Sequence, residues 1–117
     1  MTHEMKLNPR PFSLMAEGKK TIELRLYDEK RQKIQIGDTL AFSNTEAPEQ
    51  SIVTTVVALH RFPDFEALYR ELPLEKCGYA TEEIATASPQ DMEEYYTKQE
   101  QMRYGVVGIE LVVKVSP

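Results

Sequence analysis

Three ionisable residues with short spacing occur early in the chain: Lys20, Glu23 and Arg25. Glu23 and Arg25 are two residues apart, so on a β-strand their side chains point to the same face. An arginine offers a rigid fork of donors that suits a carboxylate, a phosphate or a base edge. A glutamate can accept from an exocyclic amine or act as a general base, and a lysine can hold a phosphate or act as a nucleophile. These residues therefore predict a ligand pocket, provided that the strand face is enclosed.

A simpler interpretation of the same residues is also open. Glu23 and Arg25 can pair with each other on a solvated strand face, where an ion pair contributes little to stability or function. Strict alternation also places Lys20 on the opposite face, unless the backbone twists at the start of the strand. The chemistry of this segment therefore depends on where its strand lies in the fold.

The strand that carries these residues has the clearest alternating pattern in the chain. Thr21–Tyr27 places apolar side chains on one face and polar ones on the other. Gly18 lets the chain turn sharply between this strand and a preceding helix, Pro11–Glu17. Gly37 and Asp38 form a further turn signal. We assign Gly18, Gly37 and Asp38 structural roles around the candidate strand.

The rest of the chain predicts strands and helices in separate runs. The predicted strands are Thr39–Ser43, Ile52–Leu59 and Val106–Val115, and the predicted helices are Phe65–Leu72, Thr81–Ala87 and Pro89–Met102. Turns rather than regular helical crossovers join most strands, which favours a mostly antiparallel sheet with helices grouped at one side. About four to six strands of this length can curl into a small barrel. We therefore predict a single α+β domain over residues 1–117.

The composition excludes several functional classes. The chain has 117 residues, a formal net charge of −5 and 41% apolar residues, as is typical of globular proteins. The single cysteine, Cys77, cannot form an internal disulfide or a cysteine-based zinc site, and two histidines are too few for a typical catalytic zinc. No apolar run approaches the ~20 residues of a membrane helix, and the N-terminus lacks the features of a secretory signal. We expect a cytoplasmic protein without a metal, a cofactor or a membrane partner.

The charge is unevenly distributed along the chain. Residues 1–37 carry eight basic and five acidic side chains, and residues 38–117 carry six basic and fourteen acidic ones, giving net charges of +3 and −8. The chain as a whole lacks the basic footprint of a protein that binds long nucleic acid. An anionic ligand is therefore expected to be small and to be held by the N-terminal third.

Two further residues near the strand are candidates for ligand contact. Tyr27 lies on the strand face of Glu23 and Arg25, where it can stack on a base or fill the barrel wall. Arg31, in a basic loop, can contact a phosphate beside the pocket or belong to a solvated turn. Cys77 has no evident base beside it and is expected to be an unreactive thiol.

The last predicted helix and its exit carry three tyrosines, Tyr95, Tyr96 and Tyr104. Core packing is the expected role of at least two of them. Glu100, on the same helix, is a further candidate for the mouth of the pocket.

The sequence contains a motif that resembles the signature of the ASCH domain family. The motif is Gly18-x-Lys20-x-x-Glu23-x-Arg25. The similarity continues through residues 26–31 to the Gly37-Asp38 turn. Tyr95-Tyr96 and the run from Tyr104 to Ile109 are similar to the C-terminal part of the same family. The resemblance therefore covers nearly the whole chain.

This resemblance implies a PUA-like fold, a small mixed and mostly antiparallel β-barrel with short flanking helices, that binds RNA or nucleotides in a cleft at its mouth. Some bacterial members are amidohydrolases that deacylate acetylcytidine nucleosides with a lysine, a threonine and a glutamate, and another branch is described as a ribonuclease. Lys20 matches the lysine of the amidohydrolases, but Glu23 occupies the position of their threonine. Glu71 and Glu75 are candidates for their glutamate.

Three functions follow as hypotheses. The first is binding of RNA, a nucleotide or a modified nucleoside in a cleft lined by Lys20, Glu23 and Arg25, with Tyr27 and Arg31 as further contacts. The second is a hydrolase acting on acylated cytidine nucleosides or RNA, with Glu23 as the base and Lys20 as an electrostatic stabiliser. The third is a regulatory domain that binds a protein through the acidic remainder of the chain.

Overall fold

The computed structural model describes residues 1–114, which form one five-stranded sheet with short helices around it. The strands are β1 (Thr2–Leu7), β2 (Ile22–Leu26), β3 (Thr39–Asn44), β4 (Ala47–Phe62) and β5 (Val106–Val113). The helices are α1 (Pro9–Ala16), α2 (Glu29–Gln32), α3 (Phe65–Glu71), α4 (Thr81–Ile84) and α5 (Lys98–Tyr104), with 3₁₀ turns at Leu74–Cys77 and Pro89–Glu94. No helix within residues 1–114 is long and apolar enough to cross a membrane.

The strands are arranged in the order β1-β3-β4-β5-β2, and the sheet curls into a half-barrel. β1 pairs with β3 in parallel, whereas the other three pairings are antiparallel. This arrangement confirms the α+β, PUA-like fold class. The barrel is open at a seam between its two edge strands, which a side chain crosses: Nη2 of Arg25 on β2 donates to the carbonyl oxygen of Lys6 on β1 at 3.0 Å.

Both faces of the sheet contribute side chains to buried cores. One face packs against α1, with Phe12 and Met15 of that helix in its core. The other face packs against α3, with Phe65 and Leu68 in a second core. β5 contributes side chains to both cores, which explains why its sequence reads as a nearly continuous apolar run.

The N-terminal part of the sheet was not apparent in the sequence. β1 buries only Met5 and Leu7, which is too few apolar positions for a recognisable alternating pattern. β4 begins at Ala47 rather than at Ile52, because the polar stretch before Ile52 forms one arm of the β3–β4 hairpin with exposed side chains. Sequence patterns therefore do not predict those parts of the sheet in which the strands have few buried residues.

The prediction of one helix over Pro89–Met102 is wrong. Residues 89–94 form a 3₁₀ turn, and α5 begins only after Thr97. The Thr97 hydroxyl accepts from the backbone N–H of Glu100 at 3.1 Å, and the Glu100 carboxylate accepts from the backbone N–H of Thr97 at 3.0 Å. This capping box starts a new helix in mid-segment.

The other predicted elements differ at their ends. α1 begins at Pro9 rather than at Pro11. α4 ends at Ile84, earlier than the predicted Ala87. Val115, the predicted last residue of the final strand, lies outside the described residues.

The turn before β3 is organised by Asp38, whose side chain accepts from the backbone N–H of Gln35 at 3.0 Å. Its second contact is the His3 ring on β1, at 2.8 Å, so the turn also fixes the edge strand. Gly37 has φ of +96°, a conformation that other residues adopt at a cost.

Candidate functional site

The polar face of β2 points into the half-barrel. In the ladder with β5, Glu23 is opposite Ile109 and Arg25 is opposite Val107, and directly paired residues project to the same face. Those two β5 residues belong to the core that packs against α1. Only 4% of Glu23 is exposed, so the Glu23–Arg25 pair does not lie on a solvated strand face.

Lys20 reaches the same place from outside the strand. It precedes β2, so the alternation of the strand does not fix its direction. Its Nζ lies 3.2 Å from Oε1 of Glu23 and donates to the carbonyl oxygens of Cys77 at 2.9 Å and Ile22 at 3.2 Å. All three ammonium donors are thus directed to protein acceptors. Gly78, at φ +108°, lies over this side chain, and a Cβ there would be 3.6 Å from Nζ.

Glu23 is shared between the two cations. Its Oε2 accepts from Nε of Arg25 at 3.2 Å and from Nη2 at 2.9 Å, while Oε1 faces Lys20. Burial alone would raise the pKa of the carboxyl, but Lys20 and Arg25 hold it below its usual value. Burial likewise opposes charge on Arg25, but Glu23 holds the pKa of the guanidinium above its usual value. Glu23 is therefore a carboxylate at neutral pH, and it lies between two basic side chains.

This cluster forms the floor of a cleft of about 350 Å³ that we call the tyrosine cleft. It opens near the seam between β1 and β2, so that it receives residues from both sides of the sheet. Its borders are Lys6, Asn8 and Pro11 from β1 and α1, the cluster Lys20, Glu23 and Arg25, and the four tyrosines Tyr69, Tyr79, Tyr95 and Tyr96. This volume is at the lower end of the range for small-molecule sites, which is about 300–1,000 Å³.

The tyrosines are held in different ways. The hydroxyl of Tyr79 lies 2.6 Å from that of Tyr69 and donates to Oδ2 of Asp91 at 2.8 Å. Tyr96 stacks on Phe65 with ring centroids 5.9 Å apart. Tyr95 is 60% exposed. Burial raises the pKa of Tyr69 to about 12, so this hydroxyl stays neutral and can donate at neutral pH. The walls therefore combine flat aromatic surface with fixed hydroxyl groups.

The electrostatic character of the cleft differs from that of the whole chain. Three cationic side chains, those of Lys6, Lys20 and Arg25, border it together with a single carboxylate, that of Glu23. The guanidinium of Arg25 is held by Glu23 and by the carbonyl oxygen of Lys6 through Nε and Nη2, and the Tyr96 hydroxyl also lies within its reach. Within the same residues, no group of three or more His, Cys, Asp or Glu side chains is arranged to hold a metal ion.

The other candidate residues from the sequence lie apart from the cleft. The Tyr27 ring packs under the guanidinium of Arg61 at 4.3 Å, and it does not border the cleft. Arg31 borders an adjoining groove instead. Glu71 and Glu75 are exposed away from the cleft.

Two residues of the C-terminal half have roles that the structure makes clear. Glu100 caps α5 and does not border the cleft. Cys77 does border it, and burial raises the pKa of its thiol to about 11, so the thiol stays protonated at neutral pH.

The aromatic walls were largely missed by sequence reasoning. Tyr69 and Tyr79 belong to α3 and to the turn after Gly78, and nothing in their spacing links them to each other or to Tyr96. Tyr96 and Tyr104 also pack partly against the core on the α3 side, as expected for at least two of the last three tyrosines. The similarity of the C-terminal segment to a known family was the one signal that singled out Tyr95 and Tyr96.

Comparisons with known proteins agree with this fold. The model of the ASCH domain matches residues 5–114. The structure is similar to hypothetical protein PH0355, with a TM-score of 0.80, 28% identity, and coverage of 97% of this chain and 100% of the other. It is also similar to protein PF0455 from Pyrococcus furiosus, with a TM-score of 0.72, 30% identity, and coverage of 99% and 100%.

A more distant likeness is to the S128A mutant of ZmASCH from Zymomonas mobilis, with a TM-score of 0.69 and 14% identity over 95% of this chain and 67% of the other. At that identity the likeness concerns the fold alone. No curated protein matches the sequence. The match of the family model over residues 5–114 shows that this chain belongs to the ASCH domain family.

Proposed function

We propose that this protein binds RNA or a nucleotide-like ligand, with one nucleoside unit in the tyrosine cleft. The observation that carries the proposal is a positively charged, aromatic-walled cleft in a chain whose net charge is −5. Aromatic rings stack on bases of any sequence, and guanidinium and ammonium groups attract phosphate. Membership of the ASCH domain family supports the same class of ligand.

The three charged residues have different roles in this proposal. Arg25 contacts the ligand, because its side chain is the most exposed of the three and its Nη1 donates to no carboxylate or backbone carbonyl within residues 1–114. Lys20 and Glu23 are positioning residues, since their polar atoms are engaged with each other, with Arg25 and with backbone carbonyls. The tyrosines provide stacking surface and hydroxyl groups for the base and ribose.

The hydrolase hypothesis is less well supported by this geometry. A general base works best when its pKa is near the operating pH. The pKa of Glu23 is below its usual value, although burial acts in the opposite direction, because Lys20 and Arg25 bind both of its oxygens. The arrangement therefore favours binding by this cluster over proton abstraction.

The proposal is tested by titrating the protein with short single-stranded RNA and with mononucleotides, following the amide resonances by NMR. We expect saturable shifts at the tyrosine cleft and an affinity that falls as salt rises. Tyr95→Ala should weaken binding about tenfold, because one stacked base is worth about 1–3 kcal/mol. Tyr95 is suitable because it is largely exposed, so its removal leaves the fold intact.

A matched pair of lysine variants separates local from general electrostatics. Lys6→Ala removes a cation of the cleft, whereas Lys98→Ala removes one from α5, away from it. The first should weaken binding several-fold more than the second. Absence of binding by every RNA and nucleotide tested, or equal effects of the two variants, would contradict the proposal.

A further inference from the structure

A second depression adjoins the tyrosine cleft on the other side of Arg25, and we call it the basic groove. It has a volume of about 670 Å³ and runs along β1 and β3 beside α2. Its charged borders are Lys6, Arg25, Lys30 and Arg31, with Glu4 as the single acidic side chain among them. The hydroxyls of Ser43 and Ser51 add neutral hydrogen-bonding groups. A groove with this charge attracts an anion.

Arg31 in this groove has donors that the protein does not use. Asp28 fixes the side chain by accepting from Nη1 at 3.1 Å. Nε is buried and has no partner, and Nη2 makes no hydrogen bond within residues 1–114. An unsatisfied buried donor costs about 1–3 kcal/mol. An acceptor brought by a ligand, after a small adjustment of the side chain, would remove that cost.

The basic groove and the tyrosine cleft are continuous. Lys6 and Arg25 border both, so the guanidinium of Arg25 belongs to this shared boundary. A ligand with a base in the cleft therefore has its nearest phosphate close to cations of the groove. The four tyrosines border the cleft and not the groove, and three of the four cations of the groove, those of Lys6, Lys30 and Arg31, are not held by Glu23.

We infer that the basic groove is a phosphate subsite, so that the ligand is a nucleotide with its base in the tyrosine cleft and its phosphate against Arg31 and Lys30. This inference rests on the proposed function. A nucleoside alone would occupy the tyrosine cleft and leave the basic groove empty. The phosphate belongs either to a free nucleotide or to the backbone of an RNA strand.

The test compares each ribonucleoside with its 5′- and 3′-monophosphate by NMR titration at fixed salt. We expect one of the monophosphates to bind about tenfold more tightly than the nucleoside, as a charge-assisted contact requires. Arg31→Ala and Lys30→Ala should each reduce that preference while leaving nucleoside affinity unchanged. Lys33→Ala is the matched control, because Lys33 follows the same short helix but does not border the groove.

The outcomes separate this inference from the proposed function. If nucleosides bind and the phosphate adds nothing, or if the preference survives Arg31→Ala and Lys30→Ala, the phosphate subsite is wrong and the cleft proposal stands. If neither nucleosides nor nucleotides bind, both fail. A dinucleotide that binds more tightly than either monophosphate and depends on Arg31 identifies an RNA strand as the source. A monophosphate that binds more tightly than the dinucleotide and also depends on Arg31 identifies a free nucleotide as the source. Both results support the subsite.

Discussion

At the scale of single residues, the candidate site depends on one carboxylate that pairs with two cations of different function. Glu23 holds Lys20 in an internal network and orients Arg25 so that Nη2 reaches across the seam. A buried ion pair is costly to break, because the remaining partner is left without compensation in a medium of low dielectric. The binding geometry is therefore coupled to the stability of the fold.

We expect Glu23→Gln to lower the free energy of unfolding by about 3–5 kcal/mol at neutral pH, the usual cost of breaking a buried pair. Because the pKa of Glu23 is lowered in the folded state, its contribution is complete above its ordinary pKa of 4.5 and is lost as the pH falls below that value. Chemical denaturation at a series of pH values should show that the free energy of unfolding of the variant falls less steeply as the pH is lowered. Part of the loss of stability at low pH should remain in the variant, because the contact with His3 also lowers the pKa of the Asp38 carboxyl.

Glu17→Gln is the control for this prediction. Glu17 forms an ion pair with Lys19 at 3.3 Å, but both side chains are more than half exposed. Its loss should change the free energy of unfolding by less than about 1 kcal/mol. Equal effects of the two variants would show that the Lys20–Glu23–Arg25 cluster is not a stabilising feature.

At the scale of elements, β5 determines how closely the helices approach the sheet. Gly108 lies at the centre of this strand, opposite Leu24 of β2 and His60 of β4. A Cβ at this position would be 2.6 Å from Cδ1 of Leu72 and 3.2 Å from Cγ2 of Ile22. The absence of a side chain thus allows the end of α3, and Tyr69 with it, to lie close against the sheet.

Gly108→Val should destabilise the protein by about 1–3 kcal/mol, as expected for overpacking. Leu72→Ala in the same chain should recover part of this loss, because it removes the atom that the new side chain meets. A double-mutant cycle of thermal or denaturant unfolding measures the coupling. Strictly additive effects would contradict the close packing described for this strand.

The elements also show what the sequence could and could not predict. The alternation of β2 and the long apolar run of β5 were recognisable because buried residues recur with a period of two or without interruption. β1 was not, because an edge strand with two buried residues has hardly any pattern. The position of Lys20 and the meeting of Tyr69, Tyr79 and Tyr96 depend on tertiary packing, which local periodicity does not encode.

At the scale of the whole molecule, charge is separated between the ligand side and the remainder. Residues 1–37 supply Lys20, Arg25, Lys30 and Arg31 as well as Lys6, whereas residues 38–117 have a net charge of −8. The cations of the cleft and the groove thus come from the N-terminal third of an otherwise acidic chain. Under the proposed function, this distribution limits how much of an RNA strand the protein can hold.

We expect affinity to rise from mononucleotide to dinucleotide and then to level off. Five cations border the cleft and the basic groove, so the salt dependence of binding should also stop increasing once the strand extends past them. Fluorescence polarisation with labelled uridylates from the dinucleotide to the octanucleotide, at several salt concentrations, measures both quantities. A steady gain in affinity and in salt dependence up to the octanucleotide would contradict this limit.

The pairing of β2 with β5 has a consequence for folding. The ladder joins Ile22 to Glu110, so the strand that carries Glu23 and Arg25 finds its hydrogen-bonding partner only near the C-terminal end of the described chain. Closing so long a loop is slow compared with forming the β3–β4 hairpin, whose strands are adjacent in sequence. During synthesis on the ribosome, β2 has no ladder to join until β5 has emerged. The tyrosine cleft is therefore one of the last parts of the protein to form, because a nascent chain that lacks β5 lacks the strand that positions Glu23 and Arg25.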